Sequence, residues 1–207
     1  AVNAAGVGDA GLVSELIEVK DRTIPPEMDL DASVKERIVV HAGGTIRIIA
    51  YVSGKPAPQI TWCREEAEVP KEAVVETTGI SNSLVIKNCR RQHQGIYTLS
   101  AKNEGGERKK AVMVEVLDVP GPVGLPFAGE NLTTDSCKLT WCSPEDNGGS
   151  AITNYIIEKR ESDRMGWTSV SYTVTRNNAV VQGLIDGKGY FFRIAAENII
   201  GMGPFIE

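Results

Sequence analysis

The 207-residue chain is long enough for one or two domains that each bury a core, and its 42% hydrophobic, 24% charged composition excludes disorder, collagen and coiled coil. Its net charge of −5 falls as −3 over residues 1–21, +1 over 22–118 and −3 over 119–207, which excludes a basic nucleic-acid surface as the main feature. No apolar stretch approaches the roughly 20 residues of a membrane span, and the first residues lack a basic start and an apolar core, so a soluble segment with no membrane partner is expected.

Along the chain, the first signal is a repeat. Ala1, Asn3, Gly6 and Gly8 recur as Ala196, Asn198, Gly201 and Gly203 at a constant offset of 195. Asn and Gly are the residues on which turns make backbone demands, so the opening segment reads as the end of a domain of the kind that closes the chain. The apolar run Leu12 to Val19 follows it. Pro25-Pro26 and Val119-Pro120-Gly121-Pro122 are the strongest breaks, isolating a middle block of about 92 residues. Both joints are short and stiffened by proline, which predicts a limited range of angles between neighbours.

Inside the middle block, strands are expected at Thr45 to Val52, Ser83 to Lys87, Ile96 to Lys102 and Ala111 to Val116. Apolar residues alternate within them: Ile46, Ile48 and Ala50 share a face, as do Leu84 and Ile86, and Tyr97, Leu99 and Ala101. Beyond the second break, strands are expected at Cys137 to Trp141, Tyr155 to Lys159, Trp167 to Thr173 and Tyr190 to Ala196. No segment of helical length carries an apolar face. The pattern is all-β, a tandem of β-sandwiches.

Chemistry finds little material. Cys63, Cys89, Cys137 and Cys142 form no C-x2-C pair, and His41 and His93 are the only histidines, so neither a disulfide scaffold nor a metal cluster is expected. Strand alternation turns Cys63 and Cys142 outward and Cys137 inward with Leu139 and Trp141; Cys89 fills a small core position, and all four read as thiols of a reducing compartment. Gly43-Gly44, Gly148-Gly149 and Gly201-x-Gly203 precede no helix that aims amides at phosphate, and read as turns. Glu65, Glu66 and Glu68 read as a solvated loop. The Asn131-Leu132-Thr133 sequon is of the frequency chance provides. Arg90 and Arg91 are placed in an exposed connection. Arg108, Lys109 and Lys110 follow a Gly105-Gly106 turn and are the candidate partner surface. No catalytic constellation is present, so no enzyme activity, cofactor or small-molecule substrate is expected.

The middle block carries Gly54-x-Pro56-x-Pro58-x-x-x-Trp62, Leu84-x-Ile86 and Gly95-x-Tyr97-x-Leu99-x-Ala101-x-Asn103-x-x-Gly106. This order resembles an immunoglobulin domain of the intermediate set. The resemblance implies that Trp62 is the core tryptophan of strand C and Tyr97 the tyrosine-corner residue. It also places Ala50 and Leu99 where secreted members carry the inter-sheet cysteines, and His93 where an acidic residue is customary. From Pro122 onward, Leu139-x-Trp141, Pro144, Asp146 to Ser150, Tyr155-x-x-Glu158-Lys159, Trp167, Leu184, Tyr190-x-Phe192-Arg193 and Ala195-Ala196-Glu197-Asn198 resemble a fibronectin type III domain. There Trp141 and Trp167 are implied to be core aromatics, with Leu184 and Tyr190 forming the corner into strand F.

Alternating modules without the disulfide, with DVPGPV and AENIIGMGPF, resemble the titin/twitchin family of giant muscle proteins, in particular the A-band super-repeats. On this reading residues 1–21 are the C-terminal end of one fibronectin III domain, 25–118 an immunoglobulin domain, and 120–207 a second fibronectin III domain without its last strand. The resemblance implies a non-enzymatic sarcomeric segment in the cytoplasm, at the A band. Its implied partners are the myosin thick filament, myosin-binding protein C and the neighbouring modules of the same chain. The family includes a kinase elsewhere, but no V-A-I-K, H-R-D or D-F-G element occurs here. An extracellular adhesion or receptor segment uses the same folds and is the alternative; Ala50 and Leu99 speak against it. Folded modules fix spacing, because about 95 residues released from one module extend on the order of 320 Å.

Overall fold

The computed structural model describes residues 2–12, 15–18, 21–170 and 173–207. Parts of the expected Leu12 to Val19 and Trp167 to Thr173 runs lie outside the described residues. A short hairpin opens the chain, β1 (Val2–Asn3) with β2 (Gly6–Val7).

The first sandwich is built from β3 (Ile24–Leu30), β4 (Arg37–His41), β5 (Ile46–Lys55), β6 (Gln59–Arg64), β7 (Val74–Thr78), β8 (Ser81–Ile86), β9 (Gly95–Asn103) and β10 (Gly106–Leu117). One sheet runs β3-β5-β8-β7 and the other β4-β10-β9-β6. The chain starts in the first sheet as β3, antiparallel to β5, then crosses to the second as β4, parallel to β10. Period-two alternation sends Ile46, Ile48, Leu84, Ile86, Tyr97, Val112, Val114 and Val116 into one core cluster. Met28, Ala50, Val52, Leu99 and Ala101 form a second cluster, against which Trp62 packs.

β3, β4 and β7 lie outside the expected runs, as do β11 (Gly124–Glu130) and β15 (Asn178–Val181) of the second sandwich, and two of these differences have a plain cause. Pro25 and Pro26 do not break the chain before the domain; they lie within β3, where the register shifts between Ile24 and Glu27. β3 is an edge strand, so a missing ladder donor there is tolerated. β7 gave no sequence signal because all five of its residues are exposed, which removes the alternation on which strand recognition rests.

The second sandwich pairs a sheet of β11 (Gly124–Glu130), β12 (Cys137–Cys142) and β15 (Asn178–Val181) with one of β14 (Thr168–Ser169), β13 (Asn154–Glu161) and β16 (Tyr190–Glu197). Val123, Cys137, Leu139, Trp141, Tyr155, Ile157, Val181, Ile194 and Ala196 fill its core. Trp141 and Tyr155 meet edge to face at 5.2 Å. Past β16 the chain turns back along the same strand, pairing Met202 with Glu197 and Ile206 with Ile194.

That turn is built twice. In the opening hairpin Val2 pairs with Val7 and Asn3 with Gly6. At an offset of 195, Glu197 pairs with Met202 and the Asn198 N–H donates to Gly201 O. Asn3 Oδ1 accepts the Ala5 N–H as Asn198 Oδ1 accepts that of Ile200, both at 2.9 Å.

Candidate functional site

A dense set of polar contacts is built into the joint between the two sandwiches. β10 ends at Leu117, and Asp118, Val119, Pro120 and Gly121 lead into the second domain. Two hydrogen bonds tie this linker to the 146–149 loop: Asp118 N–H donates to Gly148 O at 2.9 Å and Gly121 N–H to Asp146 O at 2.8 Å. The loop is itself shaped by Asp146, whose Oδ1 accepts the Gly148 N–H at 2.9 Å.

Asn198 locks the linker from the other side. It is 3% exposed. Its Oδ1 caps its own turn by accepting from Ile200 and Gly201, and its Nδ2 donates to Asp118 O at 2.8 Å and Asn147 O at 2.9 Å. One buried amide thereby joins the linker, the 146–149 loop and the turn after β16.

Glycine makes the fit possible at two points. A Cβ on Gly148 would stand 2.1 Å from Asp118 O, and one on Gly203 would stand 2.2 Å from Pro120 O. Both obstacles are backbone atoms, so the linker runs in a slot that admits no side chain on either wall.

The third fastening comes from the first domain. Arg91 sits in the single-turn 3-10 helix Arg91–His93. Its Nε and Nη2 donate to Asp146 Oδ2 and Oδ1 at 3.2 and 2.9 Å, and its Nη1 donates to Val116 O and Gln94 Oε1. This forked pair is the strong form of ion pair. The hydrogen bonds from Arg91 hold the Asp146 carboxyl below the ordinary carboxylate range. Arg91, expected in an exposed connection, is instead engaged across the joint with its side chain 24% exposed.

The turn that carries Arg91 is fixed by its neighbours. His93 is buried, and its Nδ1 accepts the Arg90 N–H at 2.9 Å. The acceptor that an acidic residue customarily supplies at this corner is therefore present. His93 Nε2 lies 3.4 Å from Glu72 Oε2, within ion-pair distance but without hydrogen-bond geometry. Tyr97 Oη donates to His93 O, and Arg64 Nη1 to Gln92 O.

The other residues singled out from sequence lie elsewhere. Ala50, Tyr97, Leu99 and Trp141 are buried, and Trp62, Leu184 and Tyr190 are half-buried. Tyr190 Oη accepts the Ile185 N–H at 3.0 Å. All four cysteines are free thiols; Cys89 and Cys137 are buried, Cys63 is half-buried and Cys142 exposed. Burial pushes the Cys89 and Cys137 thiols up. Arg108, Lys109 and Lys110 lie on the first half of β10, where they line a shallow depression with Glu27 and Asp29 of β3. Lys109 is also 3.7 Å from Glu107. Carboxylates already face this trio. Among the described residues, no group of three His, Cys, Asp or Glu side chains is placed to hold a metal ion.

Sequence reasoning did not find the joint. Asp146 to Ser150 and Asn198 read only as marks of a fold, and Arg91 as part of a charge run. The available signal was their composition: an Asp-Asn-Gly-Gly loop and an Asn-x-x-Gly-x-Gly turn, both fit to approach a backbone closely, in the domain that follows a proline-rich linker.

Comparison with known proteins agrees with the two-domain division. Residues 31–116 match the immunoglobulin I-set domain and residues 121–207 the fibronectin type III domain. Human slow-type myosin-binding protein C is 30% identical over 203 residues, 98% of this chain and 18% of that protein. Chicken myosin-binding protein H is 28% identical over 207 residues, covering 38% of its own length. A titin homolog of Caenorhabditis elegans is 31% identical over 179 residues, 85% of this chain and 1% of that protein. The crystal structure of domains A168–A170 from titin superimposes with a TM-score of 0.50 at 31% identity, covering 89% of this chain and 64% of that one. The chain thus spans less than two fifths of the length of these curated relatives.

Proposed function

Because the chain is an immunoglobulin I-set domain followed by a fibronectin type III domain, related to the modules of sarcomeric proteins, we propose that it is a non-enzymatic structural segment of a giant muscle protein, one that docks along the myosin thick filament in the A band and bears load as a spacer of fixed geometry. The observation that carries the reading is the joint. A linker held in a glycine slot, fastened by Asn198 and Arg91, sets the angle between two modules. A repeating ligand lattice selects for such fixed spacing, since each module then presents its surface at a set distance without an ordering cost on binding.

Two further observations support it. All four cysteines are free, and Ala50 and Leu99 occupy the positions of the missing inter-sheet bridge, which suits a cytoplasmic compartment. The opening hairpin repeats the turn after β16 with the same pairing, which supports residues 1–21 as the end of another fibronectin III module and the chain as a stretch of a repeating array. Myosin and myosin-binding protein C are the proposed partners.

Co-sedimentation with reconstituted myosin filaments tests the reading. Weak repeated charge contacts are strongest at low ionic strength. The chain is expected in the pellet there, leaving it as salt rises; a chain that stays in the supernatant at low salt overturns the proposal.

A further inference from the structure

Five of the seven cations in residues 119–207, namely Lys159, Arg160, Arg164, Lys188 and Arg193, gather around one end of the β14-β13-β16 sheet, although that domain carries a net −3. Lys138 and Arg176 are the other two. On the outer face of this sheet the side chains form an alternating stack. Phe205 lies 4.2 Å from the Arg193 guanidinium and Trp167 4.4 Å from it; Arg160 lies 5.3 Å from the Trp167 ring and 4.6 Å from Phe191. Register explains the order, because Glu158 faces Arg193 and Arg160 faces Phe191 across β13 and β16.

The two guanidinium groups differ in one respect. Arg193 donates twice to Glu158 Oε2, at 2.9 and 2.6 Å. Arg160 has no carboxylate partner among the described residues; its one hydrogen bond runs from Nη1 to Arg164 O at 2.8 Å. Arg164 and Lys188 are both taken by Glu161, at 2.9 and 3.2 Å. Arg160 is therefore a planar group held between two rings, with most of its five N–H donors uncommitted. A guanidinium fixed in this way binds a carboxylate by a two-pronged contact with little side-chain entropy left to lose. Phe191 itself is exposed, and so is Met165, the residue after the Arg164 carbonyl that Arg160 holds.

We infer that this face, centred on Arg160, is a docking surface for an acidic protein segment, with a side-chain carboxylate of the partner on the open edge of the Arg160 guanidinium. It is distinct from the Arg108 to Lys110 trio of the first domain, which shares a depression with Glu27 and Asp29 and has Lys109 near Glu107, and which has no stacked guanidinium among the described residues. The inference adds a surface and a partner chemistry to the proposed filament role, and rests on that role only in taking the partner to be a protein.

The test is a titration of the isotope-labelled chain with poly-L-glutamate, followed by amide and indole N–H resonances, with inorganic polyphosphate run in parallel. Shifts are expected to centre on residues 158–168 and 190–193, including the Trp167 indole. Arg160→Gln should weaken poly-L-glutamate binding about tenfold, the loss of one charge-assisted contact, and Arg160→Lys several-fold, since the charge remains and the fork does not. Lys109→Gln should leave binding unchanged. Shifts centred on Arg108 to Lys110, wild-type affinity in Arg160→Gln, or equal binding of polyphosphate would overturn the assignment. The filament reading fails separately: a wild-type chain that binds poly-L-glutamate at Arg160 but does not pellet with myosin removes that reading and leaves this one.

Discussion

Replacing Asn198 by Asp isolates what its amide does. The acceptor at Oδ1 survives, so the turn is still capped at Ile200 and Gly201. The donor is lost, and a carboxylate oxygen now faces Asp118 O and Asn147 O, which accept at 2.8 and 2.9 Å in the native chain. Two buried hydrogen bonds at about 1 kcal/mol each, plus two acceptors set against a like charge, amount to roughly 2–4 kcal/mol. The loss divides between two readouts. Asn147 lies within the second domain, so about half should appear there, lowering its melting temperature by roughly 5–10 °C and leaving the first domain unchanged. The other half falls on the linker contact and should appear as a broader distribution of inter-domain distances between spin labels placed on the two modules. Calorimetry and pulsed distance measurements together check this. A variant with native melting and a native distance distribution, or one in which both domains melt lower by the same amount, would refute the reasoning.

Other consequences follow from the same contacts. Gly203→Ala drives a Cβ to within 2.2 Å of Pro120 O, so the linker must leave its slot and the distance distribution should broaden. Gly166→Ala, with nothing within 4 Å of its Cβ, should change neither readout, its stability staying within about 0.5 kcal/mol of native. The Asp146 carboxyl is held below its ordinary value by Arg91. A depressed folded value means that its contribution is present at neutral pH and is lost as pH falls below about 4 through the folded value. The modules should therefore uncouple in acid before either unfolds, and Asp146→Asn should remove that pH dependence by uncoupling them at all pH; native coupling in Asp146→Asn at neutral pH would contradict this. Ile157, fully buried in the second core, should cost about 2–5 kcal/mol on truncation to Ala, read as a lower melting transition of that domain alone; a matching fall in the first domain would show that the cores are not separate.

The fold is legible wherever a strand has one wet and one dry face. Ile46, Ile48 and Ala50, or Tyr97, Leu99 and Ala101, announce their strands because every second side chain must be buried. β7 is silent because neither of its faces is covered. Pro25 and Pro26 mislead for a related reason: proline forbids a central strand and permits an edge, and local sequence does not say which a segment will be. The joint is hidden more deeply. Arg91 and Asp146 are separated by 55 positions and by a domain boundary, and a pairing across such a boundary has no periodicity. Arg91 in a run of exposed cations and Arg91 as a half-buried fastening have the same local sequence. Asn198 is visible as a turn residue, but its second role depends on which backbone passes beside the turn.

Residual dipolar couplings from the intact chain in a dilute aligning medium test the claim that the joint holds the two modules as one body. The account predicts that couplings from residues 31–116 and from 123–206 fit a single alignment tensor, and that Asn198→Asp and Arg91→Ala each split it into two of different magnitude. Two unequal tensors in the wild-type chain at neutral pH would contradict the account.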